Sequence, residues 1–259
     1  MPELPEVETV RRVLEEKLRG LRILSFEVGK PTFYRKPPAA ALEGFLGSTV
    51  EAVRRRGKYL ILALSGGKEL VMHLGMSGRI VLGGEGPHTR FRFAVEGTVV
   101  NFHDARRFGR VGCELPEFGP EPLEAGFTPE YLFQAVRKRR APIKAMLMDQ
   151  AVVAGLGNIY ATEALFEAGI RPGRAAGMLS RAECERLVAA IKRLLALAVE
   201  LRGSTLEDSA YLDPMGREGG FQKVVSVYGR KVGRCGHPLK ATRKPISGRT
   251  SLYCPVCQK

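Results

Sequence analysis

The segment Leu115-Pro-Glu-Phe-Gly-Pro-Glu-Pro-Leu-Glu-Ala-Gly-Phe-Thr-Pro129 divides this chain into two parts. Three prolines fall within its first eight residues and a fourth ends it, which is typical of a connecting segment. Short alternating apolar runs precede it, and apolar residues at helical spacing follow it. The sequence therefore predicts an α+β protein whose β-rich and helical parts are separate along the chain.

The part before this linker predicts an N-terminal antiparallel β-sandwich with a leading helix. Val7, Val10, Leu14 and Leu18 recur at helical spacing, and Gly20 follows as a signal for the helix end. Gly-rich turns then separate eight short runs of β type. These runs cover residues 22–28, 49–54, 58–64, 69–74, 79–82, 90–95, 98–103 and 109–114.

The part after the linker predicts helices and then a small Cys/His tail. Ser180, with Glu183 three residues later, forms a capping-box signature before the last helix. A Gly-rich loop follows at 213–220, and the tail begins near residue 226. The helical patterns cover about 129–138, 142–150, 158–168 and 180–201. We expect three domains, at 1–118, 127–222 and 225–259.

The charge balance indicates a polyanionic partner. The 259 residues include 41 Lys and Arg against 27 Asp and Glu, a formal net charge of +14. Nucleic acid and an acidic membrane surface both suit such a charge. No apolar run reaches 18 residues and no signal-peptide pattern is present, so we expect a protein that neither spans a membrane nor leaves the cell. Nucleic acid is the favoured partner.

The N-terminal sequence Met1-Pro-Glu-Leu-Pro-Glu-Val-Glu8 carries a candidate nucleophile. Removal of Met1 leaves Pro2 with a free secondary amine. Its pKa of ~8 leaves far more neutral amine at pH 7.5 than a lysine with a pKa of ~10.4. Attack on a sugar aldehyde carbon gives an iminium that keeps its charge, and Glu3 places a proton donor beside it. The alternative is that Pro2 and Pro5 only begin the helix.

Six motifs occur in a fixed order along the chain. They are PELPEVE at 2–8, GKYL at 57–60, HLGMSG at 73–78, RRFG at 106–109, GLGNIYATEAL at 155–165 and VYGRK at 227–231. Together they closely resemble the formamidopyrimidine-DNA glycosylase family, whose members excise oxidised purines from DNA and then cut the strand. The resemblance implies a β-sandwich, a helix–two-turn–helix domain and a C-terminal zinc-finger hairpin.

The resemblance implies catalytic roles for three residues of the N-terminal part. Pro2 would form the iminium, Glu3 would assist base departure or sugar opening, and Lys58 would contact phosphate or transfer a proton. Base excision also requires extrusion of the nucleotide, and an apolar or planar wedge commonly fills the gap left behind. The motifs assign this wedge to Met76, Arg106 and Phe108.

Two further features of this part follow from the motifs. Arg106 would also hydrogen-bond the cytosine opposite the lesion. The family's usual Asp-Pro-Arg-Arg-Phe-Gly is here Asp104-Ala-Arg-Arg-Phe-Gly109, so we expect altered rigidity of the turn rather than lost function. His88 matches a DNA contact of the family, and an ordinary surface histidine is the alternative.

The resemblance also assigns DNA contacts outside the sandwich. Asn158 would bind a phosphate at a helix N-terminus, where backbone N–H groups favour anions. Arg140 and Lys144 match basic positions that contact DNA. Arg217 lies in the loop expected to cover the flipped base, and Arg249 would reach into the minor groove and assist the second elimination.

The tail predicts a metal site. Cys254-Pro-Val-Cys257 has the spacing of half a zinc site. The family's other C-x-x-C pair is replaced by Cys235-Gly-His237, with Pro238 where the second cysteine would fall. Because an imidazole reaches further than a thiolate, we expect one structural zinc on Cys235, His237, Cys254 and Cys257. A three-cysteine site closed by water and a tail that folds without metal remain open.

These motifs predict a bifunctional DNA glycosylase and AP lyase acting on double-stranded DNA that contains 8-oxoguanine or formamidopyrimidines. We expect β,δ-elimination by a monomer on the chromosome in the bacterial cytoplasm, without a membrane partner. One alternative is the sister group for oxidised pyrimidines, whose N-terminus typically reads PEGPE where Leu4 stands here. The other is a non-catalytic binder of damaged DNA, against which Pro2, Glu3 and Lys58 argue.

Overall fold

The alternating runs of the N-terminal part form two antiparallel sheets in the computed structural model, which describes residues 2–84, 86–205 and 211–259. The strands are β1 (Ile23–Val28), β2 (Val50–Arg56), β3 (Tyr59–Leu64), β4 (Lys68–His73), β5 (Arg79–Leu82), β6 (Thr89–Val95), β7 (Thr98–His103) and β8 (Arg110–Gly112). One sheet has the strand order β1-β6-β7-β5 and the other β2-β3-β4-β8.

A single hydrophobic core joins the two sheets. Phe93 and Phe102 come from one sheet, Leu62 and Met72 from the other, and all four are buried in the same cluster. Phe33, from the segment between β1 and β2, packs its ring 4.7 Å from that of Phe102. The predicted sandwich is confirmed, because the apolar residues of each sheet face one shared interior.

The leading helix α1 (Leu4–Leu18) packs on the sandwich through the predicted face. Val7, Val10, Leu14 and Leu18 are fully buried. A short helix α2 (Ala39–Glu43) was not predicted, because a single turn carries no readable periodicity.

Polar contacts fix the direction of α1 along β2. Glu8, in the first half of the helix, accepts a hydrogen bond of 3.2 Å from Arg55 Nε near the end of β2. Arg11 Nη1 donates to the carbonyl of Val53 at 3.4 Å, and the backbone N–H of Gly20 donates to that of Val50 at 2.8 Å. The N-terminal end of α1 therefore lies at the same end as the β2–β3 turn.

The part after the linker is helical, as predicted. Its last helix begins with the predicted capping box, because Ser180 N donates to Glu183 Oε2 at 2.8 Å and Glu183 N donates to Ser180 Oγ at 3.2 Å. The helices are α3 (Pro129–Val136), α4 (Ile143–Met148), α5 (Asn158–Glu167) and α6 (Arg181–Glu200).

The tail forms a hairpin anchored to α5. Strands β9 (Lys240–Ala241) and β10 (Leu252–Tyr253) pair antiparallel. The buried carboxylate of Glu163 on α5 accepts three backbone N–H bonds of 2.6–2.9 Å from Ser226, Val227 and Tyr228. This contact fixes where the tail leaves the helical layer.

Contacts divide the chain into two units. The first comprises Met1–Pro116 and Val199–Gln222, and the second comprises Glu117–Ala198 and Lys223–Lys259. Segment Val199–Gln222 thus groups with the sandwich, although the sequence-based boundaries place it with the helices. The division into 1–118, 127–222 and 225–259 stays a prediction.

Candidate functional site

The N-terminus of α1 holds the predicted nucleophile and its acidic neighbour. Pro2 is buried, and only 1% of the Glu3 surface is exposed. Glu3 is the N-cap of α1 and forms a capping box with Glu6, whose Oε2 accepts the backbone N–H of Glu3 at 2.8 Å. Two glutamates thus fix the backbone directly after Pro2, so the proline has a defined place in the fold.

Lys58 lies in the two-residue turn between β2 and β3, where Gly57 adopts a φ of 56°. It is buried although it is a lysine. His73 on β4 faces this turn, because it pairs with Tyr59 and their rings are 4.6 Å apart. Burial, together with the charges of Lys58 and Arg110, lowers the pKa of His73 to about 4. Since α1 begins at this end of β2, Pro2, Glu3 and Lys58 lie at one end of the sandwich.

The predicted wedge residues lie on two turns that pack together. Gly75, with a φ of 66°, lies so close to the second turn that an added Cβ would meet the backbone of Phe108 at 2.6 Å. Met76 follows in the first turn. Phe108 is 45% exposed, and the Arg106 guanidinium lies 5.2 Å from its ring centroid. Met76, Arg106 and Phe108 therefore belong to one surface.

Asp104 holds both turns and was not among the predicted site residues. Its buried carboxylate accepts Ser77 Oγ at 2.6 Å, Arg106 N at 3.1 Å and Gly109 N at 2.7 Å. An aspartate at the start of a turn was a readable signal, because such side chains bond to the backbone ahead of them. Ala105 stands where the family has proline, and the carboxylate supplies a constraint on that turn.

The side chain of His88 is exposed beside this surface. Its carbonyl accepts the backbone N–H of Asp104 at 2.8 Å, and its Nδ1 lies 3.4 Å from Arg90 Nη2. Asp104, which precedes the turn that carries Arg106 and Phe108, is therefore hydrogen-bonded to His88 through the backbone.

Arg217 lies in the Gly-rich loop of the first unit. Its Nε donates to Asp213 Oδ2 at 2.7 Å, and Asp213 Oδ1 accepts the backbone N–H groups of Met215 and Arg217, both at 2.9 Å. The loop is an ordered turn around Asp213, and Arg217 is paired within it. The neighbouring residues 206–210 lie outside the described part of the chain.

In the second unit, Lys144 is a buried connector. It is fully buried, and its Nζ donates to Asn158 Oδ1 and to Ser251 Oγ, each at 2.7 Å. Asn158 is the first residue of α5, and its Nδ2 lies 3.4 Å from Tyr228 Oη. Because Oδ1 receives the lysine, the amide presents its N–H donors to the opposite side.

A cavity of about 260 Å³ lies beside Asn158. Thr162, Tyr228 and Thr250 are among the residues that line it. Arg249 precedes Thr250 in the turn from Ile246, where Ser247 and Gly248 have positive φ angles of 49° and 71°. Arg140 is exposed before α4.

The motifs did not indicate that Lys144 would be buried. They also did not indicate that Ser251 would bind Lys144 or that Tyr228 would lie next to Asn158. Both of these residues come from the tail, far along the chain from α4.

Cys235, His237, Cys254 and Cys257 lie together, and their ligand atoms are all within 4.8 Å of one another. The Sγ atoms of Cys235 and Cys254 are 3.7 Å apart, and His237 Nδ1 lies 3.7 Å from Cys254 Sγ and 3.5 Å from Cys257 Sγ. A tetrahedral zinc with bonds of about 2.3 Å to sulfur and about 2.0 Å to nitrogen requires separations of roughly 3.5–3.8 Å. The four side chains fit that ion.

The surroundings of Cys254 lower the pKa of its thiol. Burial opposes its ionisation, but hydrogen bonds from the backbone N–H groups of Cys257 and Val256 lower its pKa to about 7. A thiolate, not a thiol, binds a metal ion. The local backbone therefore favours the charge state that coordination requires.

Residues 1–111 match the model of the formamidopyrimidine-DNA glycosylase N-terminal domain, and residues 118–210 match that of the formamidopyrimidine-DNA glycosylase H2TH domain. The chain belongs to the formamidopyrimidine-DNA glycosylase family. It is a DNA glycosylase of a family that acts in DNA repair, and the predicted resemblance is confirmed.

Relatives support this membership over the full length. The formamidopyrimidine-DNA glycosylase of Carboxydothermus hydrogenoformans is 42% identical over 270 residues and covers 100% of both chains. That of Thermus thermophilus is 44% identical over 271 residues, covering 100% of this chain and 98% of the relative.

Solved structures agree with the fold. The Thermus thermophilus MutM (Fpg) protein superposes with a TM-score of 0.90 at 42% identity, covering 99% of this chain and 98% of that one. The Lactococcus lactis Fpg in complex with abasic-site DNA gives 0.88 at 32% identity, covering 99% of both chains. A variant of the same protein is bound to Fapy-dG-containing DNA, with 0.89 at 31% identity over 100% of both. Within residues 2–84, 86–205 and 211–259, none of the helices combines the length and the apolar character that a membrane-spanning segment needs.

Replacing Asp104 should release the two wedge turns. In Asp104→Asn, an amide NH₂ group would face one of the three donors that the carboxylate accepts. A buried donor left without an acceptor costs about 1–3 kcal/mol, so the free energy of unfolding should fall by about that amount. Chemical denaturation measures it, and proteolysis should cut the 104–109 turn faster.

Asp149→Asn is the matched control, because Asp149 is exposed and caps a turn through one bond, from Ala151 N at 3.0 Å. Equal stability of the two variants and unchanged proteolysis of the 104–109 turn would show that Asp104 does not hold it.

Proposed function

We propose that this enzyme excises 8-oxoguanine opposite cytosine and formamidopyrimidines from double-stranded DNA, and then cuts the strand at the abasic site. The observation that supports this most directly is the N-terminus of α1. There Pro2 and Glu3 are buried at the same end of the sandwich as Lys58. A secondary amine, a carboxyl group and an ammonium group are the three functions that the chemistry needs.

The proposed reaction uses these groups in order. Glu3 assists base departure or sugar opening. The Pro2 nitrogen bonds to C1′ and loses its proton, the C1′–base bond breaks as the base takes up a proton, and the C1′–O4′ bond opens to leave a 4′-hydroxyl, so that C1′ becomes part of a charged iminium. The iminium draws electrons from the adjacent carbon, which allows loss of a C2′ proton and departure of the 3′ phosphate. A second elimination then expels the 5′ phosphate. The product is a one-nucleotide gap with phosphates at both ends, and Lys58 and Arg249 serve as phosphate contacts or proton donors.

We assign DNA contacts to each unit separately. Met76, Arg106 and Phe108 fill the gap left by the flipped nucleotide, and the exposed His88 lies beside them. On the second unit, Asn158 and Arg140 contact the backbone, and Lys144 acts through Asn158 rather than by direct contact because its ammonium is enclosed.

We also propose that Cys235, His237, Cys254 and Cys257 hold one structural zinc, which would supply folding energy to the tail that carries Arg249. We further propose that this protein repairs bacterial DNA as a monomer that acts on the chromosome in the cytoplasm. The solved structures of DNA complexes concern relatives, and they support the choice of substrate here.

Covalent chemistry at Pro2 is tested by borohydride trapping. The wild type should give a protein–DNA adduct on an 8-oxoguanine duplex and act weakly on a thymine-glycol duplex, which would distinguish it from the sister group. Pro2→Gly should trap poorly and cut more slowly. A retained Met1 should abolish activity, because the amine would then be part of a peptide bond. Pro5→Ala, which alters the same helix turn but keeps the amine, is the control, and equal trapping by Pro2→Gly and the wild type would refute the assignment.

Arg106 should set the choice of opposite base. A bidentate contact between an arginine and a base is worth ~1–3 kcal/mol of discrimination. Arg106→Ala should therefore narrow the preference for cytosine over adenine by roughly ten- to a hundred-fold, measured as single-turnover excision from the two duplexes. Arg107→Ala is the control, because Arg107 Nε donates inward to the carbonyl of Thr32 at 2.6 Å. Unchanged discrimination in Arg106→Ala would place the readout elsewhere.

Metal analysis tests the zinc site. The purified wild type should contain about one zinc per chain, and His237→Ala should contain much less, because structural zinc sites are normally closed by four protein ligands. His88→Ala, which removes an exposed histidine of the other unit, should keep the metal. About one zinc in His237→Ala would exclude that ligand, and no zinc in the wild type would exclude the site.

A further inference from the structure

Glu6 is a buried carboxylate that joins two distant parts of the first unit. Only 2% of its surface is exposed. Its Oε2 accepts the backbone N–H of Glu3 at 2.8 Å, and its Oε1 accepts the backbone N–H of Ser204 at 2.7 Å. One oxygen therefore binds the residue after Pro2, and the other binds a segment about 200 residues later in the chain.

The segment held by Ser204 is the base of the Gly-rich loop. The backbone N–H of Gly220 donates to Leu201 O at 2.8 Å, and that of Phe221 donates to Gly203 O at 2.9 Å. Thr205 Oγ1 closes the same base, because it accepts Gly219 N at 2.9 Å and donates to Tyr211 O at 2.8 Å. Both ends of the loop are therefore held at one place, next to Glu6.

A second contact leads from the loop to the same residue. Tyr211 Oη donates to the carbonyl of Glu6 at 3.3 Å, and Tyr211 is buried. Burial first, and the Glu6 charge next, raise the pKa of the Tyr211 hydroxyl, which keeps it a hydrogen-bond donor. Glu6 thus contacts the loop through its side chain and through its backbone.

Gly203 shows how closely this contact is packed. Its φ is +77°, and an added Cβ would lie 2.5 Å from Glu6 Oε1. Glycine at this position therefore meets two demands, a left-handed backbone and direct packing of the carboxylate against the chain.

We propose that Glu6 is a positioning residue that couples the placement of the Gly-rich loop at 213–220 to that of the Pro2 amine. This inference rests on the proposed function, in which Pro2 is the nucleophile, and on the family resemblance, which implies that the loop covers the flipped base. A carboxylate is rigid and planar, so a shift of the Ser204 N–H turns it and displaces the Glu3 N–H bound to its other oxygen. Because Glu3 N belongs to the Pro2–Glu3 peptide, that displacement moves the proline ring. The amine is aligned when the loop base is in place.

The test uses Glu6→Gln in the full-length enzyme. The glutamine keeps the shape, but its NH₂ group faces one of the two backbone donors. We expect the rate of borohydride-trapped adduct formation on an abasic-site duplex to fall at least tenfold, with a change of less than threefold in the Kd for the same duplex. The abasic substrate is chosen because amine attack on it needs no base departure. Glu8→Gln is the matched control on the same helix, since Glu8 binds Arg11, Arg12 and Arg55 instead.

Gly203→Ala provides a second test that leaves Glu6 intact. Its methyl group would push the carboxylate, so the rate should fall as in Glu6→Gln. Thermal unfolding identifies an assay temperature at which both variants are fully folded, and single-turnover rates there exclude simple loss of folded protein. The proposed coupling would be overturned if folded Glu6→Gln and Gly203→Ala formed the adduct at the wild-type rate. It would also be overturned if Glu8→Gln slowed adduct formation as much as Glu6→Gln does. If the wild type forms no adduct while Glu6→Gln and Gly203→Ala fold normally, the proposed nucleophile is wrong and the coupling falls with it.

Discussion

Buried carboxylates that accept hydrogen bonds from backbone N–H groups hold the functional loops of this protein. The residues concerned are Glu6, Asp104, Glu163 and Asp213. Hydrogen bonds to an ionised acceptor are roughly twice as strong as neutral ones. A buried charge that loses its donors costs several kcal/mol. Each loop is therefore fixed by a contact that few backbone conformations satisfy, so it keeps its shape without a large hydrophobic core of its own.

This arrangement suits a protein that binds a polyanion. The chain carries a formal net charge of +14. Lysines and arginines strengthen DNA binding only when they can reach phosphates, so each cation that is bound inside the fold is lost for that purpose. Lys144, bound to Asn158 and Ser251, is fully buried, and the half-buried Arg107 is bound to the carbonyl of Thr32. When backbone N–H groups bind the buried carboxylates, arginines such as Arg106 can remain on the surface. Arg217 differs, because its Nε is bound to the buried Asp213 while the rest of its side chain is exposed.

The sequence predicted the periodic elements and the local signals well. The strands, the four main helices after the linker and the Ser180–Glu183 capping box depend on spacing within a few residues, and such spacing is readable. Lys144 shows the limit of this reasoning. Its contact with DNA stays a prediction, but its burial depends on a hydrogen bond to Ser251, which lies 107 residues later in the chain and could not be read from local spacing. Glu6 was readable only as the acidic residue of a first helical turn, because its bond to Ser204 is long-range.

The metal cluster shows how a change in spacing can be absorbed by a change of side chain. The first half of the site is one residue shorter than the family's C-x-x-C, and Gly236, with a φ of 79°, makes the tighter turn. The atom that faces the sulfurs is Nδ1 of His237, the ring nitrogen nearer the backbone. It lies one bond further from Cβ than a cysteine sulfur does, so the gain in reach is small and matches a small loss of backbone. With Nδ1 bound to zinc, Nε2 of the same ring would carry the proton and donate a hydrogen bond, which fixes the tautomer. The Cys235-Gly-His237 half-site therefore brings its ligand atoms to Cys254 and Cys257 in spite of the shorter spacing.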